Sequence, residues 1–192
     1  MGRIVTFGEL ITFSAGTNMT RLSKDIPEDS IYTLEDFDRD LSSSTIESFE
    51  KDVISNKGKS VISSVGDVVI SMTRNQAGIV SSKNSGKYLN TNFVKCEFDK
   101  EILYPWYFCY LLNESVVVSE QIRKLQQGTL GCINRLTIQM IGSLEFTLEE
   151  MLQQKTVGDL YRNMLIQERL MLKKMDAMKK YTLQIIREAD SN

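Results

Sequence analysis

The sequence predicts a mixed α+β domain, rich in short strands, followed by a long C-terminal coiled-coil helix. Three observations carry that prediction. Short apolar runs of strand character are separated by clusters of Gly, Asn, Ser and Asp over most of the chain. Two helical segments interrupt the runs without making a regular strand–helix alternation. From Thr147 to Glu188 there is no proline and a single glycine, Gly158, and the strong helix formers Leu, Met, Gln, Lys, Arg and Glu dominate.

Taken in order, the strand-like runs are Ile4 to Phe7, Leu10 to Phe13, Val61 to Ile62, Val68 to Met72, Gly78 to Val80, Phe93 to Phe98 and Leu144 to Phe146. Residues 14–60 read as irregular. They hold the SSST run at 42–45 and an acidic cluster, Glu35, Asp36, Asp38 and Asp40, whose default reading is a solvated, partly mobile segment. A helix is expected over Pro105 to Asn113, because proline suits the first turn and aromatic and aliphatic residues follow. A second is expected over Ser115 to Gln127, stopping at Gly128.

The C-terminal helix carries Val157, Met164, Met171, Met178 and Ile185 at seven-residue spacing. Tyr161, Leu165, Leu172, Met175 and Ile186 widen that stripe. Heptads sustained in phase fit a helix packed along another helix. Roughly 40 residues at ~1.5 Å rise make a rod of ~60 Å, longer than a domain of this size. Packing on the chain's own domain is the competing reading of the stripe. The division expected is a domain at 1–147 and the helix at 148–192.

Composition narrows the function classes. The chain has 192 residues, 42% of them hydrophobic, and a formal net charge of −2. Residues 1–60 carry 7 basic and 11 acidic side chains, 61–150 carry 8 and 9, and 151–192 carry 8 and 5. Field strength is local, so this balance disfavours a broad positive sheath and leaves room for inserted basic loops. No apolar run approaches the ~20 residues of a spanning helix, and the N-terminus does not read as a signal peptide. Cys96, Cys109 and Cys132 are odd in number, without a CxxC pair and beside apolar segments. Buried free thiols in a reducing, cytoplasmic setting are expected.

There is no histidine, which removes Cys-His and Ser-His-Asp catalysis and imidazole-held zinc. Gly58-Lys59-Ser60 imitates the end of a phosphate-binding loop, but Val53 stands where its first glycine belongs. Gly86-Lys87 fails at both Ser81 and Tyr88. Asp99, Lys100 and Glu101 read as a solvated turn instead of a metal-binding nuclease set. No catalytic residues, metal or cofactor are expected, and the chain reads as a non-enzyme.

GDVVISMTRNQAGIV at 66–80 is a buried-looking strand that opens onto Thr73, Arg74, Asn75 and Gln76. A polar hairpin turn is one reading. A loop that reads base edges is the other, since Arg donates two hydrogen bonds to guanine and Asn or Gln pairs bidentately with adenine.

Several segments in succession then carry a resemblance: VTFGEL and SAGTN, GDVVIS, LNTNFVKCEF, PWYFCYLLN, QQGTLGCINRL, and LEEMLQQKTVGDLYRNM entering the long helix. This order resembles one target-recognition domain and its following helix from the DNA-specificity subunit of type I restriction-modification enzymes. Family members usually carry two such domains and two helices, and this chain has one of each. Phe146-Thr147 stands where the family usually has a proline.

The resemblance implies a half-size subunit that homodimerises through its helix and reads a two-part double-stranded DNA target. It implies docking of methyltransferase subunits, which bring S-adenosylmethionine, and of translocating restriction subunits, which bring ATP. Within it, Thr17, Asn18 and Arg21 form a second DNA-facing loop. Lys83 and Lys87 are expected on phosphates, with Asn90 and Asn92 beside them. Lys124, Thr129, Asn134 and Arg135 flank the QQGTLG turn as further phosphate or groove contacts. The alternative is a non-DNA-binding assembly module, or a truncated specificity fragment, with an oligomerisation helix.

Overall fold

The computed structural model describes residues 2–19, 27–41, 60–127 and 136–190. Four antiparallel strands form the central sheet: β2 (Thr12–Ala15), β5 (Phe93–Glu97), β3 (Val68–Ser71) and β4 (Gln76–Ile79), side by side in that order. β3 is buried at all four positions because the sheet is covered on both faces. Strand side chains alternate, so Val68 and Ile70 enter one core while Val69 enters the other.

The first core packs under α3 (Pro105–Glu114), which starts at proline and buries Trp106, Phe108, Cys109, Leu111 and Leu112. A two-stranded antiparallel sheet extends it, pairing β1 (Arg3–Thr6) with β6 (Glu145–Leu148) and so tying the N-terminal segment to the residues just before the long helix. Phe7 anchors the junction, edge-on to Phe108 at 5.1 Å and tilted against Phe146 at 4.7 Å. Short helices α1 (Phe7–Leu10) and α5 (Ile138–Gly142) and the longer α4 (Val116–Gln127) complete this side. Gln121 of α4 pairs with both backbone groups of Glu145, each at 2.8 Å, much as a neighbouring strand would.

The second core lies under α2 (Leu34–Leu41), where Phe37, Tyr32, Leu89, Phe93, Val69 and Val80 meet. Here the sequence expectation is corrected. The acidic cluster is a helix, and Asp36 and Asp40 are buried in it. Thr33 and Asp36 close the N-terminus reciprocally: Thr33 N donates to Asp36 Oδ2 at 3.0 Å, and Asp36 N donates to Thr33 Oγ1 at 3.1 Å. Phe37 supplies the apolar contact, lying so close to β4 that a Cβ on Gly78 would meet its ring at 3.1 Å.

The strand expected at Leu10 to Phe13 is also divided. Glu9 reaches back to Thr6 N at 3.3 Å and closes α1 first, so β2 begins at Thr12. Val61 to Ile62 shortens to a single bridge between Ile62 and Tyr88. The SSST run and Cys132 lie outside the described residues. Cys96 and Cys109 are free and buried, and burial pushes both thiols up in pKa. Among the described residues, no helix is long and apolar enough to cross a membrane.

The long helix, α6 (Met151–Asp190), divides its stripe between two uses. Its first turns belong to the domain. Gln154 is buried, accepting from Tyr104 N at 2.9 Å and donating to Ile102 O at 3.0 Å and Glu149 O at 2.8 Å. Tyr161 is buried and accepts from Asn113 Nδ2 at 2.9 Å, while Val157 and Leu165 pack on the same core. For these three positions the intramolecular reading of the stripe applies, because Gly158 lets α6 lie directly on the α3 backbone. Met164, Met171, Leu172, Met175, Met178 and Ile185 are exposed, and so is every residue from Leu170 to Asp190.

Candidate nucleic-acid interface

Strand direction decides which loops share an end of the central sheet. Ala15, the last residue of β2, stands opposite Val94 near the start of β5. Ser71, the last residue of β3, stands opposite both Phe93 and Gln76. The segment after β2 (Thr17, Asn18), the segment before β5 (Asn90, Asn92) and the β3–β4 hairpin (Thr73, Arg74, Asn75, Gln76) therefore emerge at one end. Backbone bonds lace them together: Met72 N donates to Asn92 O at 2.8 Å, and Thr17 N donates to Leu89 O at 2.7 Å.

The hairpin is a defined turn with an exposed tip. Arg74 N donates to Ser71 Oγ at 3.2 Å and Asn75 N donates to Ser71 O at 2.8 Å. Asn75 has φ +55°, the left-handed region that asparagine enters more readily than most residues. Its Oδ1 is buried without a hydrogen-bond partner among the described residues. Thr73 and Arg74 project outward. Arg74 Nη2 donates to Asp38 Oδ2 of α2 at 2.8 Å, with both side chains about half exposed.

The other expected contact residues fall into distinct groups. Thr17 Oγ1 accepts from Val61 N at 3.0 Å, and Asn90 Oδ1 accepts from Asn92 N at 2.8 Å, so these two side chains shape their own loops. Asn18 and Asn92 are exposed. Lys83 is exposed on a single 3-10 turn, Ser82–Asn84, which follows the far end of β4 and so starts away from the hairpin tip. Lys87 Nζ donates to Asp36 Oδ2 at 2.8 Å in a partly buried pair, an internal use that competes with phosphate binding. Lys124 is exposed on α4, the helix anchored to β6 instead of the central sheet. Arg21, Thr129, Asn134 and Arg135 lie outside the described residues.

The acids of α2 are what sequence reasoning missed. Asp40 accepts from Tyr32 Oη at 2.7 Å and Asn84 Nδ2 at 2.8 Å, and burial pushes its carboxyl above the ordinary range despite those donors. For Asp36, burial also pushes upward, but the bonds from Lys87 and Thr33 together outweigh it and hold the carboxyl low. The spacing Thr33-x-x-Asp36 ahead of Phe37 was the available signal, a helix-start pattern. A cavity of about 540 Å³ opens beyond the other end of β5, lined by Phe98, Asp99, Lys100, Glu101, Tyr104 and Lys155. The described residues contain no cluster of three or more acidic or thiol side chains able to hold a metal ion.

No protein-family model matches the sequence, and no curated protein matches it. Solved structures do. The chain is similar to the HsdS subunit from Thermoanaerobacter tengcongensis at 14% identity and a TM-score of 0.55, over 90% of this chain and 39% of that one. It is similar at 14% identity and a TM-score of 0.52 to a chain from a structure of type I R-M complex assembly, over 97% of this chain and 44% of that one. The fold is therefore that of type I restriction-modification specificity subunits: an α+β domain with a long helix behind it. The chain spans less than half the length of the structures it matches.

Proposed function

We propose that this chain is a non-catalytic, sequence-specific DNA-recognition subunit of a type I restriction-modification complex. In this reading, residues 1–147 are the target-recognition domain. Residues 148–192 form the helix that joins a second copy and docks methyltransferase subunits, with restriction subunits joining the assembly. Two copies related by a two-fold axis read a bipartite double-stranded target. The observation that carries the proposal is the fold shared with an HsdS subunit over 90% of the chain. Two features support it: the hairpin, Thr17–Asn18 and Asn90–Asn92 loops at one sheet end, and the exposed apolar stripe of α6 from Met164 to Ile186. A cytoplasmic location follows from the same reading.

The experiment is selection from a random-sequence duplex pool with the purified chain, followed by titration of the enriched duplex over a salt series. The expected outcome is a two-part motif whose affinity falls steeply with salt. The assembly-module reading draws on the pairing of Arg74 and Lys87 with carboxylates of α2. It predicts no enriched motif and no salt-dependent DNA binding.

A further inference from the structure

We infer that Asp38 is a positioning residue that aims Arg74 at a guanine edge and keeps it off the phosphate backbone. The inference rests on the DNA-recognition reading above and adds a specificity determinant from an element outside the recognition loops.

Both partners stand on fixed frames. Asp38 lies between Asp36 and Asp40, and those two acids hold α2 in place. Asp36 binds Thr33 and Lys87, and Asp40 binds Tyr32 and Asn84. Phe37 seats the same turn against β4. With both neighbours turned inward, Asp38 is exposed on the outer side, in reach of the hairpin. Arg74 stands on a turn fixed by two bonds to Ser71. The guanidinium is thus held by one N–H, at 2.8 Å, while 49% of the side chain remains exposed.

Three consequences follow from elementary chemistry. A carboxylate that takes one N–H of a guanidinium leaves a parallel pair of donors, the arrangement that matches guanine O6 and N7. Holding the long side chain beforehand reduces the rotamer entropy lost on binding. The neighbouring negative charge also offsets the cation, which weakens the pull of phosphates more than the directional bonds to a base. Phosphate contacts carry no sequence information, so the balance moves toward base reading. A half-exposed ion pair contributes little to folding, so these effects are separable from stability.

The test is selection from a random-sequence duplex pool with the full chain as wild type, Asp38→Asn, Arg74→Ala and the double variant. Wild type is expected to enrich a two-part motif with a G·C pair in each half that Arg74→Ala no longer prefers. Asp38→Asn should lower preference at that position in each half of the target, and at no other, by about five- to tenfold and steepen the salt dependence by roughly one phosphate contact per copy. The double variant should match Arg74→Ala, and melting temperatures should stay together. An unchanged Asp38→Asn motif would overturn the positioning role while leaving DNA recognition intact. Uniform loss at every position would overturn it equally, as would a gain in affinity without loss of preference, the sign of a simple charge mask. A wild-type chain that enriches nothing overturns the DNA reading itself, and the positioning role with it.

Discussion

Asp36 and Asp40 sit one helical turn apart on the buried side of α2, and their surroundings move them in opposite directions. For Asp36, folding lowers the pKa below the ordinary value of 3.8, because the Lys87 and Thr33 donors outweigh the cost of burial. The stabilisation it provides is complete above the unfolded pKa and is lost as pH falls through the folded one. For Asp40, burial raises the pKa, so protonation favours the folded state, and that contribution is lost as pH rises through the raised value. Asp36→Asn should therefore be less stable than wild type at pH 7 by about 1–3 kcal/mol. The gap should close as pH falls below about 4. Urea denaturation between pH 3 and 7 reads both. Asn75 shows a second residue-scale balance: its left-handed backbone serves the turn, whatever its amide contacts.

Elements here are joined by single polar side chains at places where backbone groups would otherwise lack partners. Asn113 of α3 accepts from Ala77 N at 2.7 Å and donates to Ala77 O at 2.9 Å, closing the outer edge of β4. The same amide reaches Tyr161 of α6, so the edge strand, α3 and the long helix form one unit. Gly158 makes that approach possible. A Cβ there would lie 2.7 Å from Tyr107 N and 3.0 Å from Trp106 C, both backbone atoms that have little room to yield. Gly158→Ala should destabilise the fold by roughly 2–3 kcal/mol, although alanine is the better helix former by about 1 kcal/mol. A lowered urea midpoint checks this, and an unchanged or raised midpoint would contradict the close packing of α6 on α3. The helices α3, α4 and α6 and strands β1 and β3 to β6 were legible from period and punctuation, with ends shifted by a few residues. α2 was not, because a run of acids resembles solvated chain unless the inward carboxylates are known to have partners.

Across the whole molecule, α6 begins as part of the domain and continues as an exposed rod. Leu170, Met171, Leu172, Met175, Met178, Ile185 and Ile186 are all exposed, more large apolar side chains than an unpartnered helix end needs to show to solvent. In the proposed symmetric dimer this stretch packs on its copy. Val157, Tyr161 and Leu165 stay with the domain. The double substitution Met171→Lys and Met178→Lys should convert a dimer into a monomer by light scattering across a concentration series. Its melting should be close to that of the wild-type domain, because neither side chain touches the core. A wild-type chain that remains monomeric at every concentration would remove the two-fold model and point to a different partner for the rod.

The sequence by itself determined the class of the fold and the long helix, because strand alternation, turn residues and sustained helix formers are local signals. It also singled out the Thr73–Gln76 tip, whose polar cluster follows an apolar strand. Only the tertiary structure decided what those residues do to one another. Antiparallel register brings Thr17, Asn90 and the hairpin to one end of the sheet and leaves Lys83 to start from the other. Folding turns Lys87 inward to Asp36 and sets Asp38 against Arg74 across 36 residues of chain. Pairings of that kind depend on strand order and helix docking, which no local spacing encodes.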